Sequence, residues 1–218
     1  MMYDKREVIR LLEEKKYADI YGIAEKDAGR MFRSLISIAY NKEELVCWRA
    51  IEVMGIIAGK IAETRPEVTR NLARRLLWMM REESGNNPWS APEMLGEIIR
   101  NSPEGLSDLV PVIGSFHEED ILRQGVLRAI FRIGEVRPEL IKFSEPIIAL
   151  YLKDEDPVTR AYAILITGML KLNKYVDIIR SFVNDESPVK IYKDSYLRVF
   201  TTGEIARQTV IILSEREN

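Results

Sequence analysis

The chain has 218 residues, 46% hydrophobic and 30% charged, with 32 Lys+Arg against 34 Asp+Glu and a net charge of −2. A chain of this length and balance buries a sizeable core as one large domain or two small ones, which excludes a disordered or collagen-like polypeptide. One Cys and one His exclude a disulfide scaffold, a multi-Cys zinc site and a site built on several His ligands, and the near-neutral charge argues against a surface made to wrap nucleic acid.

The N-terminus, from Met1 to Glu7, is charged and leads into a helical pattern, with neither the apolar core nor the small-residue cleavage site of a signal peptide. No stretch approaches the roughly 20 apolar residues of a membrane span, so a soluble cytoplasmic protein is expected, and a lone unpaired Cys47 agrees with that. Residues 4–40 read as two cap-like helices. Residues 43–62 are apolar on nearly every side, through Val46, Trp48, Ile51, Val53, Met54, Ile57 and Ile61, so that helix must be covered on several faces. Residues 66–82 are amphipathic, with Val68, Leu72, Ala73, Leu76, Leu77, Met79 and Met80 on one broad half. Residues 84–93 break the helical run with Gly85, Asn86, Asn87, Pro88 and Pro92. Residues 157–171 again read as a helix buried on several sides.

The strongest signal is internal repetition. Ala50-Ile51-Glu52-Val53-Met54-Gly55 recurs at Ala129 to Gly134 and at Ala163 to Gly168, with a weaker copy at Ala91 to Gly96. A second mark, Pro then Glu, stands at Pro66-Glu67, Pro103-Glu104 and Pro138-Glu139. Proline lacks only an N–H that a first helical turn leaves unused, and the glutamate meets the positive end of the helix dipole. Each unit is therefore expected to be a helix carrying Ala-x4-Gly, a short turn, and a second helix opening at Pro-Glu. The small residues let a neighbouring helix approach while Ile, Leu and Met fill the space around them. Pro92, inside the weak copy, predicts a short first helix there.

Residues 189–200 are β-branched and aromatic about Asp194-Ser195 and read as a β-hairpin, with continued helix as the alternative. Thr201-x-x-Glu204 is a capping box that opens a last helix. Since an isolated hairpin is marginal in water, this one should dock on the last repeat. The expected organisation is a helical repeat domain over 1–185 and a hairpin plus helix over 186–218.

The period, together with Asp156-x-Val158-x-Arg160-x-x-Ala163-x4-Gly168, resembles HEAT repeats in the short form common in bacterial proteins. The resemblance spans roughly residues 40–185. It implies an all-α fold, an α-α superhelix of about four to five helical hairpins with a concave binding face, and no particular reaction.

Two features are candidate recognition elements. At about 100° per residue, Arg70, Arg81, Arg74 and Trp78 fall within about 80° of one another, opposite the apolar half of their helix. A tryptophan among arginines suits stacking on a flat group or a peptide side chain, although a solvated face with Trp78 packed on a neighbour is the plainer reading. Trp89, in the break at 84–93, is a second candidate anchor beside Glu93, because loops on a rigid scaffold often carry recognition. The plainer alternative is that Trp89 plugs a seam. His117 with Glu118, Glu119 and Asp120 is read as a helix start and not as a metal site, since adjacent helical positions point apart. Cys47 is read as core. No phosphate-cradling glycine motif occurs.

These signals point to a non-enzymatic binding or scaffold protein, without cofactor or metal, that holds a protein partner. The alternative is a nucleic-acid enzyme. It would resemble the HEAT-repeat alkylpurine DNA glycosylases, using Arg70, Arg74, Arg81, Trp78 and Trp89 as a groove and Glu93 or Glu97 as its acid. The balanced charge counts against that reading.

Overall fold

A computed structural model of the chain describes residues 4–81 and 90–215. The protein is mostly helical, with one two-stranded antiparallel sheet near its C-terminus. It divides into two compact units, one ending at Ser107 and the other beginning at Asp108.

The first unit opens with α1 (Lys5–Glu13), α2 (Tyr17–Lys26) and α3 (Ala28–Ile38). Two helices are expected here and three form. The reason is Asp27: its backbone is extended, with φ −150° and ψ 78°, and its carboxylate accepts the N–H of Arg30, so a new helix starts beside it. The long α4 (Leu45–Ala62) is buried through Ala50, Ile51, Val53, Met54, Ile57 and Ile61. Its buried Arg49 donates to the carbonyls of Leu12 (3.2 Å) and Glu13 (2.9 Å), at the C-terminal end of α1, where the last carbonyls have no N–H four residues on. Next come α5 (Pro66–Arg81), α6 (Ala91–Asn101) and the single turn α7 (Pro103–Leu106). Buried Thr69 ties α5 to α4 by donating to the Ala58 carbonyl at 2.8 Å.

The Ala-x4-Gly helices meet their neighbours at the glycines. A β-carbon on Gly55 would stand 2.5 Å from the Glu97 carbonyl oxygen, and one on Gly59 would stand 2.7 Å from that of Asn101. Helices α4 and α6 therefore cross backbone to backbone, which only residues without a side chain allow.

The second unit contains α8 (Val110–Gly114), α9 (Asp120–Gly134), α10 (Glu145–Tyr151), α11 (Pro157–Met169) and α12 (Val176–Arg180). Strands β1 (Pro188–Lys193) and β2 (Tyr196–Thr201) and a final helix α13 (Thr202–Ser214) follow. Gly134 of α9 lies against Ile141 and Met169, and Gly168 of α11 lies against Thr209. Asp156 caps α11 by accepting the Thr159 N–H at 2.7 Å. Arg160, 7% exposed, reaches Asp185 at 2.8 Å and the Asp154 carbonyl.

The Pro-Glu marks do start helical turns, but only the first opens a long helix. After Pro66 no proline interrupts α5, whereas Pro111 and Pro146 follow the other two marks within a few turns. A proline inside a helix removes an N–H and clashes with the carbonyl four residues back. The second elements accordingly break, into α7 and α8 in one case and into a 3₁₀ segment at Pro138–Ser144 plus α10 in the other. Pro92 stands in the first turn of α6, which is the shortest of the four helices that carry the repeated motif.

The hairpin forms as expected, in a register that pairs Val189 with Phe200 and Lys193 with Tyr196. Asp194 and Ser195 both take positive φ (53° and 62°), the two-residue turn whose twist matches a right-twisted ribbon. The Thr201–Glu204 capping box is complete in both directions. Strand β1 and helix α13 both pack on α11, so the ribbon has the support that two strands alone lack. Among the described residues, no helix is long and apolar enough to cross a membrane.

Candidate functional site

The first unit presents its most distinctive surface on α5. This helix buries Leu72, Ala73, Leu76, Leu77 and Met80, which forces the residues between them outward. Arg74, Arg75, Trp78 and Arg81 are exposed, Trp78 at 59%. A tryptophan hidden on a neighbour would be mostly covered, and this one is not. Arg74 and Arg75 stand four and three residues before Trp78, hence directly beside it on the helix surface. Arg75, which lies off the 70–74–81 arc that periodicity marks, is part of this surface through that i,i+3 relation. Helix α5 carries four arginines against one glutamate, Glu67.

Arg70 occupies a different environment from the rest of the row. It is half-buried, and its Nη1 donates to the Gly105 carbonyl at 2.8 Å. It lines a cleft of about 290 Å³ with Ala62, Pro66, Glu67, Thr69, Ser102, Gly105 and Leu106. The cleft joins the start of α5 to α7, and helical periodicity alone does not reveal it. Trp89 lies outside the described residues.

Glu93 and Glu97 do not belong to the exposed row. Both are buried on α6, at 2% and 1% exposure. One Glu93 carboxylate oxygen, Oε1, pairs with the Lys42 ammonium. Its other oxygen, Oε2, has no hydrogen-bond partner among the described residues. Nearby Cys47 is fully buried; burial first, and the Glu93 charge second, push its thiol up to about 12. A thiol held protonated in this way is a poor nucleophile at neutral pH. No spacing in the sequence announces that Lys42 meets Glu93, since the two come from separate elements.

In the second unit, His117 Nδ1 and the Tyr151 hydroxyl lie 2.8 Å apart, and that hydroxyl also donates to the His117 carbonyl at 2.9 Å. Arg123 stacks over the Tyr151 ring, 5.1 Å from its centroid. The three hold a 3₁₀ turn against α9 and α10. No group of three or more His, Cys, Asp or Glu side chains suited to a metal ion occurs among the described residues.

Fold and surface thus define a mostly helical protein with a short antiparallel ribbon before its last helix and an arginine–tryptophan face on α5. No family model matches the chain. An uncharacterised protein of Archaeoglobus fulgidus is 30% identical over 165 residues, which cover 74% of this chain and 85% of the relative. The chain belongs to one family with that archaeal protein. The crystal structure of an engineered protein, a Northeast Structural Genomics Consortium target, is similar at a TM-score of 0.56 over 97% of both chains, with 13% sequence identity. That likeness concerns the fold alone.

Proposed function

We propose that this protein is a non-enzymatic, cytoplasmic HEAT-type repeat protein that holds a segment of a protein partner on the exposed face of α5, with the Trp89 loop beside it in sequence. The observation that carries the reading is Trp78, 59% exposed on a helix whose outward side is arginine-rich. Exposing a large aromatic ring costs solvation free energy without return in the free protein, and such residues dominate the energetics of interfaces. The HEAT assignment and its superhelix are supported by the recurrence of Ala-x4-Gly in α4, α9 and α11, each with its glycine at a close approach. The burial of Glu93 and Glu97 removes both acids from the exposed arginines, so the alternative glycosylase-like reading gains no support from the site.

Replacing Trp78 with a photo-crosslinking phenylalanine analogue tests the reading in cells of the source organism. A protein captured at position 78, and lost when Arg74 and Arg75 are changed to Glu, is the expected result. Capture of no protein above background, or capture indifferent to those changes, overturns it.

A further inference from the structure

Resting on the binding role just proposed, we propose further that α5 recognises an extended acidic segment of its partner, anchored by one apolar side chain in the cleft beside Arg70. The argument is geometric and electrostatic. Arg70, Arg74 and Trp78 follow one another at four-residue intervals, so they form a single row along the helix, and Arg75 flanks it. Eight residues of α-helix rise about 12 Å, a length that about four residues of extended chain cover. At one end of the row lies the cleft, and at the other lies the exposed Trp78 ring.

The cleft, at about 290 Å³, has room for one apolar side chain of a bound segment. Ala62, Pro66 and Leu106 supply apolar walls, while the Arg70 guanidinium at the rim is oriented by its bond to Gly105. A segment that enters with a Leu or Phe there leaves its next residues over Arg74 and Arg75, where carboxylates complement two exposed guanidinium groups. Trp78 then accepts a flat or apolar group at the far end.

Charge decides against a nucleic acid on the same row. Duplex or single-stranded nucleic acid is captured by broad positive fields, and its affinity grows with each phosphate neutralised. Here four arginines cluster on α5, but they belong to a chain whose 34 acidic residues outnumber its 32 basic ones and leave a net charge of −2. A short acidic peptide needs no more than that patch.

Fluorescence anisotropy of labelled peptides on the full chain tests this. The probe is a ten-residue peptide with Leu followed by four Glu/Asp and a Phe; its partners are the same peptide with Gln/Asn for the acids, one with Gly for Leu, and a twelve-nucleotide single-stranded DNA. The expected result is saturable binding of the acidic peptide, weakened roughly tenfold by the amide change, by Arg74→Glu with Arg75→Glu, and by raised salt. Loss of the Leu anchor should weaken it several-fold, as should Trp78→Ala. All three substituted positions are exposed, so circular dichroism should report an unchanged fold. Equal affinity for the amide peptide, no saturation at millimolar peptide, or tighter binding of the oligonucleotide overturns the proposal. Cross-linking at position 78 to a partner that has no acidic segment also overturns it, while leaving the binding role in place.

Discussion

Gly55→Ala puts the backbone-to-backbone crossing of α4 and α6 to a quantitative test. The added β-carbon would stand 2.5 Å from the Glu97 carbonyl oxygen and 2.6 Å from both the carbonyl carbon and the β-carbon of Glu97. Ordinary contacts begin near 3.5 Å, so the helices must separate by about 1 Å. Two of the three atoms are helix backbone, which cannot rotate away as a side-chain tip would. Overpacking of this kind costs about 1–3 kcal/mol, and the upper end applies here. Alanine recovers roughly 1 kcal/mol through helix propensity, which leaves a net loss of about 2 kcal/mol. For a chain of this size that is about 4–8 °C in Tm. Gly22→Ala supplies the opposite case: nothing lies within 4 Å of its would-be β-carbon in α2, so the same change should stabilise by about 0.5–1 kcal/mol. Urea unfolding followed at the helical circular dichroism band measures both. If Gly55→Ala were as stable as the parent, the helices would not cross as closely as described, and the packing argument would fail.

Three other substitutions address separate forces. Cys47 ionises only near 12 when folded but at about 9.0 when exposed, so above pH 9 protons leave the unfolded chain first and stability falls. The decline should be about 1.4 kcal/mol per pH unit between those values, and Cys47→Ala should remove it from a stability–pH curve; an unchanged slope would mean the thiol is not desolvated. Asp185 is opposed by its own burial, yet the hydrogen bonds from Ser187 and the ion pair with Arg160 outweigh that and hold its carboxyl below the usual range. Its contribution is therefore present above the ordinary carboxylate range and disappears as pH falls, and Asp185→Asn should cost about 1–3 kcal/mol at pH 7 and progressively less as the pH is lowered. Acid titration of thermal stability for the two proteins checks this, and parallel curves refute it. Ser195 sits at φ 62°, so Ser195→Gly should stabilise the ribbon by about 0.5 kcal/mol, read by amide exchange of β1 and β2; faster exchange would refute the turn assignment.

Much of the local structure is legible in the sequence. Hydrophobic periodicity, the Pro-Glu starts, the Asp194-Ser195 turn and the Thr201–Glu204 capping box all act within a few residues, where sequence and conformation are coupled directly. Periodicity does not show the break at Asp27 or the splitting of the later second elements, although Asp27 and the prolines at 111 and 146 carry the signal. On α5 the periodicity placed Arg74, Trp78 and Arg81 away from the apolar half, and it stopped there. An angle around a helix axis says which residues share a face; it does not say whether another helix covers that face. Only the tertiary structure shows Trp78 exposed, brings Lys42 to a buried Glu93, and opens a cleft where Arg70 reaches Gly105, because each depends on elements far apart in the chain.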